Sequence, residues 1–164
     1  LTVSDFQLTN EIGYDGHATF SRDGSKIVFE ASRPKTDAEL ERYTKMLSYN
    51  LVSPKELELF VMNADGSNVT QLTHLGGANI SPYFLKDGKR VIFASNHAMD
   101  RKCCDFALYL IDLDGKNLEK VTGQNGSADG FPTFDGNQRR MIWASRRNGT
   151  HQGETNIFIA DWID

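Results

Sequence analysis

The stretch Ala18-Thr19-Phe20-Ser21-Arg22-Asp23-Gly24-Ser25-Lys26-Ile27-Val28-Phe29 occurs three times in this chain in recognisable form. Residues 82–93 read Pro-Tyr-Phe-Leu-Lys-Asp-Gly-Lys-Arg-Val-Ile-Phe, and residues 132–143 read Pro-Thr-Phe-Asp-Gly-Asn-Gln-Arg-Arg-Met-Ile-Trp. Phe20, Phe84 and Phe134 therefore correspond, as do Phe29, Phe93 and Trp143. A second shared segment follows each copy: residues 59–66 (Leu-Phe-Val-Met-Asn-Ala-Asp-Gly) match 108–115 (Leu-Tyr-Leu-Ile-Asp-Leu-Asp-Gly) and, more loosely, 157–164. A third segment closes the unit, with Gln71-Leu72-Thr73 matching Lys120-Val121-Thr122, and the same piece stands near the start as Gln7-Leu8-Thr9. Repetition with a period of about 40 to 50 residues points to propellers or solenoids.

Each unit contains two hairpin signals. Asp23-Gly24, Asp87-Gly88, Asp65-Gly66 and Asp114-Gly115 all lie between apolar runs, and glycine there supplies the positive φ that tight hairpin turns need. The third copy has Asp135-Gly136-Asn137-Gln138 instead, which predicts a longer or shifted turn. The runs Ile27-Val28-Phe29, Val91-Ile92-Phe93 and Met141-Ile142-Trp143 are apolar without alternation, as in strands covered on both faces. Counting one strand at the N-terminus (residues 6–8), four in each of the first two units and three in the last gives twelve, or three four-stranded blades. The expected fold is all-β: a β-propeller segment of three blades per chain, half of a six-bladed ring, forming a single domain over residues 1–164.

One insertion interrupts the repeat. The interval from Ser32 to Leu59 exceeds that from Asn96 to Leu108 by fifteen residues. Thr36-Asp37-Ala38-Glu39 fits a capping box, Leu40, Tyr43 and Leu47 recur at helical spacing, and Asn50 and Pro54 are stop signals. These predict a helix within about residues 36–50, lying against the edge of the first blade.

Composition bounds the functional classes. The chain of 164 residues carries 18 basic and 22 acidic side chains, a net charge of -4, without a basic cluster interleaved with aromatics, so nucleic acid is not an expected partner. No apolar stretch reaches the length of a membrane helix. No signal peptide opens the sequence, and it starts inside a repeat, so a mature segment or excised fragment is expected. Cys103 and Cys104 are adjacent, a poor geometry for a mutual disulfide, and lack His or Cys partners at zinc-ligand spacing; they read as loop thiols. The sequons at Asn68 and Asn148 carry little weight.

The phrases Phe-Ser-Arg-Asp-Gly-Ser-Lys-Ile-Val-Phe (20–29), Leu-Phe-Val-Met-Asn-Ala-Asp-Gly-Ser-Asn-Val-Thr-Gln-Leu-Thr (59–73) and Asn-Ile-Phe-Ile-Ala-Asp-Trp (156–162) resemble the WD-like repeats of the TolB family. The resemblance spans nearly the whole chain outside the helical insert. It implies a six-bladed propeller and a bacterial, periplasmic or secreted, non-catalytic protein that binds a protein or peptide partner. The repeat also occurs in propellers attached to peptidases.

For an enzyme the sequence supplies little. It has no Gly-x-Ser-x-Gly elbow, and His17, His74, His97 and His151 stand apart without His or Cys at ligand spacing. Alignment of the repeats at their shared Phe offers a binding site instead. Five residues earlier stand Asp15, Asn79 and Asp129, each leading into the innermost strand, where they would ring the mouth of a central channel. Their oxygens are of the hard type that Ca²⁺ or Mg²⁺ prefers; the alternative is that each side chain caps its own turn. No other cofactor is expected. His17, Tyr14 and Tyr83 would add a lining suited to a peptide. Three functions follow: a protein-binding or scaffolding propeller, a ligand- or cation-binding propeller, and an accessory domain of a hydrolase. Three blades leave apolar blade faces in water, so a homodimer closing a six-bladed ring is expected, with strand 6–8 of one copy completing the last blade of the other.

Overall fold

The computed structural model describes residues 5–53, 55–98, 105–122, 128–151 and 153–163. Cys103, Cys104 and the stop signal at Pro54 lie outside them. The first sheet contains β1 (Asp15–Phe20), β2 (Lys26–Ala31), β3 (Glu58–Asn63) and β4 (Thr70–Gln71) in that order. The helix α1 (Asp37–Leu47) is inserted between β2 and β3. The second sheet contains β5 (Asn79–Phe84), β6 (Arg90–Ser95), β7 (Ala107–Asp112) and β8 (Glu119–Lys120), and the third β9 (Gly130–Phe134), β10 (Arg140–Ser145) and β11 (Asn156–Asp161). Every pairing is antiparallel. The architecture is all-β, three meander sheets and one helix.

The sheets stack face to face, and the apolar runs are the reason. Along β6, Val91 and Phe93 join a core with Val28, Leu59 and Val61 of the first sheet. The intervening Ile92 and Ala94 join a second core with Met141 and Trp143 of the third. All four β6 residues are fully buried. Because successive side chains of a strand point to opposite faces, a strand packed on both sides must be apolar at every position.

The third sheet departs from this expectation. Met141 and Trp143 are buried against the second sheet, whereas Ile142 is 40% exposed and its cross-strand neighbour Ile159 61%. Ile157, opposite Ala144, is 72% exposed. The run Met141-Ile142-Trp143 is therefore covered on one face only, because no further sheet lies beyond it among the described residues.

Eleven strands are found among the described residues, where the repeats predict twelve. Residues 6–8 form none. Leu8 nonetheless packs on the cluster of Ile27, Phe29, Ala31, Phe60 and Met62, on the face of the first sheet turned away from the second. A Cβ at Gly66 would stand 3.2 Å from the Leu8 carbonyl oxygen, just as one at Gly115 would stand 3.2 Å from that of Leu72. The segment thus occupies the place relative to the first sheet that the end of β4 occupies relative to the second, without a strand of its own to pair with.

The turn of the third copy is neither longer nor shifted. Asp135 N donates to Arg140 O and Gln138 N to Asp135 O, matching Ser21 N to Lys26 O and Gly24 N to Ser21 O. Gln138 takes the glycine slot with φ +50, where Gly24 has +71 and Gly88 +63. Its side chain compensates for the left-handed backbone: buried, it accepts from Lys86 N and donates to the Phe84 carbonyl at 3.0 Å, tying the third sheet to the second.

The insert begins as the capping box predicts. Thr36 Oγ1 accepts from Glu39 N, and the Glu39 carboxylate accepts from Thr36 N and Lys35 N. The helix does not pack closely on the blade edge as predicted, however. No residue of α1 is buried, Leu40 and Leu47 are 38% and 42% exposed, and no Cα of the helix lies within 8 Å of a strand Cα. The partly buried positions are Glu39, Tyr43 and Met46.

The packing makes Phe93 a sensitive point. Replacing this fully buried ring by Ala is expected to cost about 3 to 5 kcal/mol through lost burial and the cavity left behind. Urea denaturation measures it against Glu119→Ala at an exposed position; a change no larger than in that control would contradict the stacking.

Candidate functional site

The innermost strands β1, β5 and β9 begin at equivalent places, and the residue leading into each is held within its own blade. Asp129 is fully buried and accepts from Arg147 Nη2 on both oxygens, at 2.9 and 2.8 Å. Arg147 in turn donates from N and Nε to Ser145 Oγ. Asp15 pairs with Arg33, which also meets Glu11 at 3.0 Å. Asn79 accepts from Ser95 Oγ at 2.7 Å and donates to Leu57 O at 2.9 Å and Glu58 Oε2 at 3.0 Å. His97 stands in the arginine's place, with Nδ1 2.9 Å from Ser95 Oγ.

The three side chains proposed to ring a cation are thus each occupied by local partners. Among the described residues no three Asp, Glu, His or Cys side chains gather as a metal site. Arg33 and Arg147, the partners of Asp15 and Asp129, lie eighteen positions on across the hairpin formed by the first two strands, and His97 stands at the same spacing from Asn79, joined to it through Ser95. The cation or imidazole then lies over an aromatic ring of the third strand: Arg33 5.1 Å from Phe60, Arg147 5.3 Å from Phe158, and the His97 ring 4.6 Å from Tyr109. Acid or amide, base and ring recur in all three blades. Ser95 is fully buried, so its contact with His97 belongs to this bracing.

Charge follows geometry at Asp129. Burial acts to raise its pKa, but hydrogen bonds from Ser145, Thr122 and Arg147, with the charge of Arg147, outweigh it and hold the carboxyl below its ordinary value. A depressed folded pKa contributes stability above the unfolded pKa of about 4, and this is lost as pH falls through the folded value.

Two residues beyond each lead-in position, His17, Ser81 and Phe131 adopt left-handed backbone, with φ +45, +55 and +56. For β1 and β5 these residues lie within the register shifts between Gly16 and Thr19 and between Ile80 and Tyr83; β9 pairs irregularly with Ile142 and Ala144 of β10. The bulges re-aim side chains of the innermost strands. The exposed rings of His17 and Phe131 stack with centroids 6.1 Å apart although they belong to the first and third blades. Phe20, at the end of β1, is 64% exposed and Phe131 61%. Tyr83 packs on Phe134, with centroids 5.5 Å apart, and shares a cavity of about 110 Å³ with Phe20. Tyr14 lies over Gly16, where a Cβ would stand 2.6 Å from its ring carbon Cζ.

Beneath the stacked pair lies a buried acid. Glu30, 7% exposed on β2, accepts from Ser81 N at 2.8 Å across the interface of the first two blades. Burial raises its pKa, and the Ser81 N–H and His17 oppose the rise only in part. The Ser81 hydroxyl is buried without a hydrogen bond among the described residues. Glu30, Ser81 and Phe131 were not among the sequence candidates, although the +2 register shared with His17 contained the signal for two of them.

Glu30 titrates with the sign opposite to that of Asp129. A raised folded pKa gives stability that is present below the unfolded value of about 4.3 and is lost as pH rises through the folded one. Glu30→Gln keeps an acceptor for Ser81 N and removes the desolvated charge. It is expected to raise stability at pH 7, with the gain shrinking toward pH 4; denaturant midpoints across that range check it, and a loss equal at every pH would contradict it.

No family model matches the chain, and no curated protein matches it. Solved structures do. A protein assigned as TolB from Agrobacterium tumefaciens superposes with a TM-score of 0.64 at 18% identity, over 94% of this chain and 47% of that one. TolB from Acinetobacter baumannii gives 0.67 at 19%, over 94% and 31%. An oligogalacturonate lyase from Vibrio parahaemolyticus gives 0.56 at 16%, over 93% and 40%. The chain therefore has the TolB-like β-propeller fold, and it spans less than half the length of these structures. The fold is common to a lyase and to TolB, so it does not decide the chemistry.

Proposed function

We propose that this chain is a non-catalytic, protein-binding segment of a TolB-like propeller whose innermost strands hold a peptide of its partner. The observation that carries this reading is the exposed aromatic surface of His17, Phe131 and Phe20 on left-handed or terminal positions of β1 and β9. Exposed rings cost solvation that burial against a partner returns, and aromatic anchors dominate binding energies at interfaces. The bracing of Asp15, Asn79 and Asp129 fixes the strands behind this surface, so the rings are presented by rigid backbone. A location in the periplasm or outside the cell rests on the resemblance of the repeats.

Peptides selected from a displayed library on the wild-type chain test the site. Phe131→Ala is expected to weaken their binding by about tenfold or more while leaving the melting temperature within about a degree, since the ring is exposed. Peptides that bind the variant unchanged would place the interface elsewhere.

The open third blade supports an assembly of two copies. Ile142, Ile157 and Ile159 are the repeat equivalents of Ile92, Leu108 and Leu110, which are buried because another blade covers them. Among the described residues the edge of β11 has no fourth strand, and the segment around Leu8 has the place of a fourth strand's end without a sheet. One copy's third blade against the first blade of a second covers the isoleucines and gives β11 a neighbour in the segment around Leu8. The first blade's own outer residues Ile27, Phe29, Ala31, Phe60 and Met62 are already buried, contrary to the expectation that both end faces stand in water. Head-to-tail pairing in both directions closes a ring of six blades. Light scattering is expected to give twice the chain mass of 18.4 kDa, and Ile159→Arg to return it to one chain mass. A wild-type monomer at micromolar concentration would exclude the pairing.

A further inference from the structure

Glu30 departs from the repeat at a position where the other blades hold alanine. Phe29, Phe93 and Trp143 correspond, so the residues that follow them, Glu30, Ala94 and Ala144, correspond as well. Strand alternation turns Glu30 to the same side as Val28, toward the second sheet, and its neighbour across β3 is Leu59; Val28 and Leu59 both belong to the apolar core. The carboxylate nevertheless reaches the innermost strands. Its Oε2 accepts from Ser81 N of β5 at 2.8 Å, and its neighbour across β1 is Gly16, next to His17. Glu30 is not sealed, since 7% of it stays exposed where Ala94 has none.

The acceptors gathered here lack donors. A carboxylate offers about four acceptor positions, and the single neutral N–H of Ser81 is the only hydrogen bond to Glu30 among the described residues. No lysine or arginine among those residues pairs with it, so its charge is not offset. The Ser81 hydroxyl is buried without a hydrogen bond among the same residues. An acid that costs stability, at a place where the fold is satisfied by alanine, is retained for something other than folding.

We propose that the partner's peptide carries an arginine that enters between the first two blades, with its guanidinium at Glu30 and the Ser81 hydroxyl and its stem beside the ring of His17. Carboxylate, hydroxyl oxygen and ring face all favour a cation. Arginine suits the place better than lysine, because a guanidinium is weakly hydrated, presents several donors in one plane and stacks on rings. Alanine at positions 94 and 144 confines the pocket to the first interface. The pocket rests on the reading of β1 and β9 as a peptide surface and adds the charge of the residue that surface takes.

Peptides selected from a displayed library on the full chain test it, each compared with a version in which citrulline, the neutral isostere, replaces arginine. The selected peptides are expected to share an arginine, and citrulline to weaken their binding to wild type by about tenfold or more. In Glu30→Gln and Glu30→Ala the two versions are expected to bind within about twofold of each other. Alanine is the residue of the other two blades, and melting temperatures confirm that both variants fold. Phe131→Ala reads the aromatic surface separately and is expected to weaken both versions alike. Peptides that need Phe131 but lack arginine, that bind wild type equally with citrulline, or that keep their preference for arginine in both Glu30 variants would overturn the pocket and leave the aromatic surface standing. A preference for arginine that depends on Glu30 in peptides indifferent to Phe131→Ala would uphold the pocket and remove that surface. A library without binders would overturn both.

Discussion

Burial of β6 on both faces is the constraint on which the rest of the molecule depends. One sheet offers two apolar surfaces, through Val91 and Phe93 on one side and Ile92 and Ala94 on the other, and each outer sheet buries its own apolar face by packing there. The face that each outer sheet turns to the middle one has no core without it, although the first sheet keeps a separate cluster on its far side. The first supplies Val28, Leu59 and Val61, the third Met141 and Trp143, and those side chains would face water if the middle sheet were absent. The stack is therefore cooperative in the manner of repeat proteins, in which each unit is stabilised by its neighbours.

The bracing at the start of each innermost strand solves a second problem. A left-handed residue in a strand is strained, more so for a bulky ring such as Phe131, and persists only where its surroundings over-determine it. Two residues before it, Asp129 is fixed by Arg147, and Arg147 is fixed by Ser145 and by the face of Phe158. The same arrangement around Asp15 precedes His17. Strain at the bulge is offset by ion pairs and ring contacts set back from it, and the outcome is that aromatic side chains stand toward solvent on rigid backbone. The groups resembling ligands in the sequence form the brace, and the rings it holds in place are those that the proposed partner would meet.

The helical insert follows different rules. Its start is secured locally by Thr36 and Glu39, so it needs no sheet to begin as a helix. Its apolar side chains are too few and too spread to bind it to the blade, and Leu40 and Leu47 remain in water. The exposed Arg42 to Glu56 pair links it to the connection that leads to β3. A helix so placed makes a wall rather than a layer of core.

By itself the sequence determined most of what depends on local order along the chain, the exceptions being the turn at residues 135–138, expected to be longer or shifted, and the strand expected at residues 6–8. The repeat of Phe20, Phe84 and Phe134, the Asp-Gly turns, the unbroken apolar run of β6 and the capping box at Thr36 are read within a few residues of one another, because strand period, turn chemistry and helix capping are short-range. Tertiary structure decided what depends on which groups meet. Asp15, Asn79 and Asp129 look alike as ligands in the sequence, and only the folded hairpins bring Arg33, Ser95 and Arg147 to them. Gln138 reads as the loss of a turn glycine until its side chain is seen bridging to Phe84. Ile142 and Ile92 have the same strand context, yet one is exposed and the other buried, because burial is a property of the neighbouring sheet and not of the residue. His17 and Phe131 lie more than a hundred residues apart, and their stacking follows from the packing of three sheets on one another, which no local pattern contains.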